Sequence, residues 1–123
     1  IMMNSIIPMN VTMGNFNTVL RSAIGHDSVV GNNNFFAGGG NMGGCCTVGN
    51  ENFFGIGAII PSESKIGNHN YIGAGCCVTR KLKDNRMLYH KGTKIHPMTL
   101  DELQVEMFAA QREAARQQAK KHL

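Results

Sequence analysis

The chain has no tryptophan, only three prolines, and few charges: 16% of its 123 residues are Asp, Glu, Lys or Arg. A typical globular domain carries roughly 25%. The apolar fraction is nevertheless 42%, so the shortage of charge does not come from a shortage of core material, and a disordered tail is excluded. Long hydrophobic runs are also missing. No stretch reaches the ~18 apolar residues of a membrane span. The opening Ile1–Asn10 lacks the basic region of a secretory signal, so a leader is not expected there. Because the first residue is not Met, the segment is expected to begin inside a longer gene product. Strong net charge is absent too, at +4. The one basic stretch, 80–94, lacks the interleaved aromatics of a nucleic-acid surface. Neither nucleic acid nor membrane is an expected partner.

The four cysteines form two adjacent pairs, Cys45–Cys46 and Cys76–Cys77. That spacing fits neither a disulfide framework nor a zinc ribbon. Reduced, packing cysteines in a cytoplasmic protein are expected.

Glycine and asparagine are abundant instead, and all but one of the glycines fall between Gly14 and Gly75. Both types tolerate positive φ, so this stretch is expected to turn often and excludes an ordinary helical bundle. The turning is periodic. Stepping by six from Ile24 gives Val30, Phe36, Met42, Val48, Phe54, Ile60, Ile66, Ile72 and Val78, all large and apolar. Most of the residues that directly follow these anchors are Gly. Four places after each anchor, from Ser28 and Asn34 to Asn70 and Cys76, the residue is small or turn-forming.

A period of six fits a short strand plus a turn, the mark of a parallel β-helix. Three hexapeptides make one triangular coil, with the anchors inward. Ile1, Ile7, Met13 and Val19 continue the step backwards. The shorter step from Val19 to Ile24 implies a shortened corner near Arg21–Ala23. After Val78 the repeat is expected to end in a departing basic loop. A capping box, Thr99-Leu-Asp-Glu102, then starts a helix over about 100–121. Its apolar stripe of Leu100, Leu103, Met107, Ala110 and Ala114 must pack on its own β-helix or on a neighbouring subunit. The expected fold is an all-β solenoid, a left-handed parallel β-helix over 1–98, followed by a C-terminal α-helix over 99–123.

Coils stack at about 4.8 Å, so positions three hexapeptides apart share a face. The column Gly39, Gly57, Gly75 forms a strip almost without side chains, flanked by Ala58 and Cys76, and Gly44, in the His26 column, is a further expected contact through its backbone N–H. An extended ligand with amide groups, such as a pantetheine arm, is expected to reach backbone there. The bland alternative is that these glycines only turn a corner. His26 points outward, with Gly44 and Ser62 as column neighbours, and suits general-base work near neutral pH. Asp27 is either its orienting partner or, as the next residue on a strand, turned to the opposite face. His69 stacks over Glu51 and is read as surface structure. His90, His96 and His122 lie outside the repeat. Arg80 and Lys81 follow the last glycine corner and are candidates for phosphate contacts. Cys45 and Cys77 have no His at column spacing, so no cysteine nucleophile is expected.

From Ile24-Gly-His-Asp-Ser-Val-Val-Gly31 to Ile72-Gly-Ala-Gly-Cys-Cys-Val-Thr79, the sequence resembles the hexapeptide-repeat acyltransferases, notably those acetylating sialic acids and amino sugars. It departs from their pattern at His90-Lys-Gly-Thr-Lys94, where a Gly-Asn-Pro-Ala-Lys-like segment is common. The resemblance implies acetyl-CoA as cosubstrate, a sugar hydroxyl or amine as acceptor, catalysis by His26 with Asp27, and a homotrimer with sites between subunits. A β-helix carbonic anhydrase would need two histidines five apart, and there are none, so no metal is expected. The alternative is a β-helix scaffold that has lost its substrate.

Overall fold

The computed structural model describes residues 1–79 and 81–121, so Arg80 and His122 lie outside the described residues. The chain divides into two compact units, Ile1–Lys91 and Gly92–Leu123.

The first unit is a solenoid of two-residue strands, one per hexapeptide. In chain order these are β1 (Thr12–Met13), β2 (Thr18–Val19), β3 (Val29–Val30), β4 (Phe35–Phe36), β5 (Asn41–Met42) and β6 (Thr47–Val48). Then follow β7 (Phe53–Phe54), β8 (Ile59–Ile60), β9 (Lys65–Ile66), β10 (Tyr71–Ile72), β11 (Lys81–Leu82) and β12 (Met87–Leu88). All pair in parallel with strands one coil away. The first face is β1-β3-β6-β9-β11 and the second is β2-β4-β7-β10-β12. The third is β5-β8, extended by bridges from Ala23 to Asn41 and from Ile59 to Cys77.

The register is the one the hexapeptide requires. Val29 pairs Thr47 and Thr47 pairs Lys65, each step being three full hexapeptides. All ten anchors from Ile24 to Val78 are at most 5% exposed. They stack into one column-built core, in which the Phe36 and Phe54 rings lie 4.7 Å apart. At the start, Thr12 pairs Val29, a coil one position short of that register, as the shortened corner implies.

The expectation that the repeat ends after Val78 is overturned. Lys81 pairs Lys65 and Met87 pairs Tyr71. Both steps fall two positions short of three hexapeptides, so the phase slips and the six-step hides this last coil. Leu82 and Leu88 still pack against the core, half-buried. Within the basic segment, Lys81–Leu82 and Met87–Leu88 are therefore solenoid wall.

Asparagine also does something other than turn the chain. Asn17, Asn34, Asn52 and Asn70 form a ladder down the corner between the first and second faces. Each side-chain oxygen of Asn17, Asn34 and Asn52 accepts from both the backbone N–H and the side-chain amide of the next. Asn34 and Asn52 donate in turn to the Gly49 and Gly67 carbonyls. An outer ladder of Asn32, Asn50, Asn68 and Asp84 runs beside it.

In the second unit, α1 spans Leu100–Lys121, and Thr99 Oγ1 accepts from the Glu102 N–H at 3.2 Å, as the capping box requires. Within this unit its apolar stripe has no partner: Leu100, Leu103 and Met107 are exposed.

Candidate active site

The three corners of the coil turn through left-handed residues at fixed places. At the corner between the third and first faces these are Asn10, Asp27, Cys45 and Glu63, with φ of 59°, 56°, 59° and 63°. At the corner between the second and third faces they are Asn4, Arg21, Gly39, Gly57 and Gly75.

His26 and Asp27 stand on the first of these corners. They lie in a turn, not a strand, so the strand rule that sends neighbours to opposite faces does not apply. The left-handed φ of Asp27 swings its carboxylate to the side of the imidazole. Its Oδ2 lies 2.8 Å from His26 Nδ1, and the Asn10 amide donates to its Oδ1 at 3.0 Å. These hydrogen bonds, that of His26 first, hold the Asp27 carboxyl below the ordinary carboxylate range. Nδ1 is thereby committed as donor, which leaves Nε2 as the basic edge of the ring.

The ring lies over Gly44. A Cβ at Gly44 would come within 2.6 Å of His26 Nε2, so the column reading of Gly44 as a neighbour of His26 holds, and glycine makes the ring's seat. Gly44 is buried beneath it. Backbone bonds fix the turn from the next coil: the Cys45 N–H donates to the His26 carbonyl at 2.8 Å.

Cys45 is a neighbour of the pair that column counting missed. It stands one place past Gly44, just off the His26 column. Because the ring leans over Gly44, one ligand atom from each of His26, Asp27 and Cys45 falls within 4.8 Å of the others. All three residues are exposed. No other such group of three His, Cys, Asp or Glu residues occurs among the described residues. Imidazole, carboxylate and thiol are chemically able to hold a soft divalent metal, but here Nδ1 and Oδ2 already bond each other. The remaining cysteines differ. Cys46 is buried and donates to the Gly43 and Pro61 carbonyls; burial pushes its thiol pKa up, which keeps it unreactive.

The glycine strip stands on the other corner. Gly39, Gly57 and Gly75 have φ of 72°, 69° and 70°. Turning does not demand glycine there, since Asn4 and Arg21 make the same turn higher in the same column. Lack of room does not demand it either: a Cβ at Gly39 or Gly57 would meet nothing within 4 Å. The strip is bare outward. Its N–H groups are spent on the preceding coil, donating to Arg21, Gly38 and Ile56 carbonyls. The Gly39 and Gly57 carbonyls accept no hydrogen bond among the described residues, so they are the polar groups the strip presents.

Ala58 and Cys76, expected along this strip, face inward, 2% and 5% exposed. Their N–H groups donate to Gly55 and Gly73 and their carbonyls accept from Asn41 and Ile59. Lys81 lies on the first face, beyond the third face from Gly75. The polar residue at the end of the strip is His90, whose Nε2 lies 2.8 Å from the Gly75 carbonyl, with Lys91 next in sequence. His69 pairs with Glu51 at 3.5 Å, exposed, as expected of surface structure. The pair borders an open groove of about 420 Å³ that Phe53, Tyr71 and Met87 also line.

His26 and the strip are thus on opposite edges of the third face. The chain from Gly39 to Gly44 covers at most roughly 16 Å at about 3.3 Å per residue. Sequence columns reveal what stacks but not which corner each column occupies.

A three-faced parallel solenoid with one two-residue strand per hexapeptide is the left-handed hexapeptide β-helix fold. Comparison with solved structures gives the same fold. A His-to-Asn mutant of perosamine N-acetyltransferase from Caulobacter crescentus, in complex with CoA and GDP-perosamine, superposes with TM-score 0.57 at 23% identity. A His-to-Ala mutant of GDP-perosamine N-acetyl transferase from the same organism, with the same two compounds, gives 0.50 at 24% identity. Each match covers 78% of this chain and 55% of the other, so the chain spans about half the length of those enzymes. No protein-family model and no curated protein sequence matches the chain. Among the described residues no helix is long and apolar enough to cross a membrane.

Proposed function

We propose that this protein is an acetyl-CoA-dependent acyltransferase acting on a hydroxyl or amine of a small acceptor, with a sugar as the favoured class. The observation that carries this reading is the His26–Asp27 pair. Its Nδ1 is held at 2.8 Å by a carboxylate and its Nε2 edge is seated on glycine.

Attack of a hydroxyl or amine on a thioester requires removal of a proton from the nucleophile. His26 Nε2 takes that proton. Asp27 keeps the tautomer that makes Nε2 the base and stabilises the imidazolium that forms. A backbone N–H near the ring, with Gly44 or a partner subunit as its source, serves the oxyanion. Acetyl-CoA lies along the glycine strip, where its pantetheine amides donate to the Gly39 and Gly57 carbonyls. His90 and Lys91 stand at the end of the strip for the phosphates, while Lys81, on the first face, is away from it. The fold likeness to enzymes with bound CoA supports the cosubstrate. No metal enters the mechanism.

That the pair and the strip occupy different corners of one chain supports a site completed by a second copy. In a homotrimer the strip of one subunit faces the His26 corner of the next, and the site lies between them. The compartment that suits four unpaired cysteines is the cytoplasm.

The test is CoA release from acetyl-CoA across a panel of sugar and amino-sugar acceptors, with the wild-type chain and His26→Ala. Turnover that falls about 10²–10⁴-fold in the variant is expected. Unchanged turnover in the variant, or no acceptor and no CoA binding, returns the chain to a non-catalytic scaffold.

A further inference from the structure

The His26–Asp27 pair is exposed, and an exposed carboxylate held at one oxygen alone is free to turn toward water. Asp27 is held at both. Its Oδ2 lies 2.8 Å from His26 Nδ1, and the Asn10 side-chain amide, on the preceding coil, donates to its Oδ1 at 3.0 Å. The turn that carries Asn10 also holds the backbone, because the Asp27 N–H donates to the Met9 carbonyl at 3.2 Å. This contact is not one rung of a repeated ladder. In the corner column Asn10, Asp27, Cys45 and Glu63, only the first two are joined side chain to side chain among the described residues. The rung is made where the histidine stands.

The register supplies it. Three full hexapeptides before Asp27 stands Met9, whose side chain has no hydrogen-bond donor. The shortened corner near Arg21–Ala23 leaves this coil one position short, with Thr12 opposite Val29. Asn10, 17 residues back, is thereby set against Asp27. We infer that Asn10 is a positioning residue of the acyl-transfer site: by holding Oδ1 of Asp27 it fixes the carboxylate against His26 Nδ1 and keeps Nε2 as the base. The inference rests on the acyltransferase reading above. Asn10 acts through Asp27 and not on the thioester or the acceptor. Without its amide the carboxylate rotates about its own side-chain bond and Nδ1 loses its fixed acceptor. The ring then also takes the tautomer with hydrogen on Nε2, which cannot accept a proton there.

The test compares the wild-type full chain with Asn10→Gly, Asn10→Asp, Asp27→Asn and the double variant Asn10→Gly/Asp27→Asn. Glycine and aspartate both tolerate the left-handed turn, so the solenoid is expected to fold in each, checked by thermal unfolding. The readouts are kcat, KM for acetyl-CoA, CoA binding, and the imidazole tautomer by nitrogen NMR at a pH where the ring is neutral. In Asn10→Gly, kcat is expected to fall about tenfold, the order of one hydrogen bond to a charged group, with KM for acetyl-CoA unchanged and a smaller share of the Nδ1–H tautomer. In Asn10→Asp a second carboxylate faces the first, and kcat falls further. In the Asp27→Asn background, Asn10→Gly is expected to add nothing, because both changes act through one group. Equal kcat and equal tautomer in wild type and Asn10→Gly overturn the inference. So does a loss of the same size with and without the Asp27 carboxylate, which marks a merely structural role. A wild-type chain that binds no CoA and turns over no acceptor, but loses the Nδ1–H tautomer in Asn10→Gly, overturns the acyltransferase reading and leaves Asn10 as the anchor of the pair.

Discussion

Asp27 takes a backbone conformation that costs an L residue about 1–2 kcal/mol, and the return on that cost is an imidazole held by one nitrogen. Replacing it with Asn keeps the left-handed turn but offers an amide in place of the carboxylate. Turnover of Asp27→Asn is expected to fall about 10²–10⁴-fold with CoA affinity unchanged, read as kcat against KM. The carboxylate itself reports the contact. Its lowered pKa means the hydrogen-bonded form is present above the ordinary carboxylate range and is lost as pH falls through the folded-state value. Removal of His26 or Asn10 is expected to raise the Asp27 midpoint, followed by carboxyl NMR; an unmoved midpoint contradicts the arrangement. At the strip, Gly57→Asn tolerates positive φ and projects a side chain into open space. It should weaken CoA at least tenfold, about 1.4 kcal/mol, with little change in Tm.

At the scale of the elements, two-residue strands hold too few bonds each to be stable alone, and the corners supply what the strands lack. The Asn ladder satisfies buried backbone groups at every coil. Asn52→Ala strands the Asn70 N–H, the Asn70 side-chain amide and the Gly67 carbonyl. It is expected to cost about 3 kcal/mol, read by denaturant unfolding; a cost near zero would mean water replaces the ladder.

The hexapeptide anchors and the register of three hexapeptides per coil were legible in the sequence because the anchor position faces inward without exception from Ile24 to Val78. Other features were not. The last coil is shortened, so Leu82 and Leu88 fall out of phase although they still pack. The asparagines read as turn formers, but many of them are ladder rungs, a role that depends on which corner they stand on. Asp27 read ambiguously because a strand rule was applied to a turn. Cys45 was invisible to column spacing because a ring that leans one residue sideways breaks the column count.

For the molecule as a whole, the central consequence of the proposed function is a divided site. The His26–Asp27 pair stands on one corner, the glycine strip on another, and the third face lies between. A single chain offers an exposed His–Asp pair, 65% and 49% accessible, which water would flood. In the proposed trimer, pairing the corners of adjacent copies would bring the two halves together and cover them. The most direct test is calorimetric titration of acetyl-CoA and CoA into the purified chain, with its mass in solution recorded on the same sample. The account predicts a trimer that binds at about one site per chain, and weaker binding in Gly57→Asn. A well-folded trimer that binds neither compound would contradict it, as would a monomer that binds CoA with full affinity.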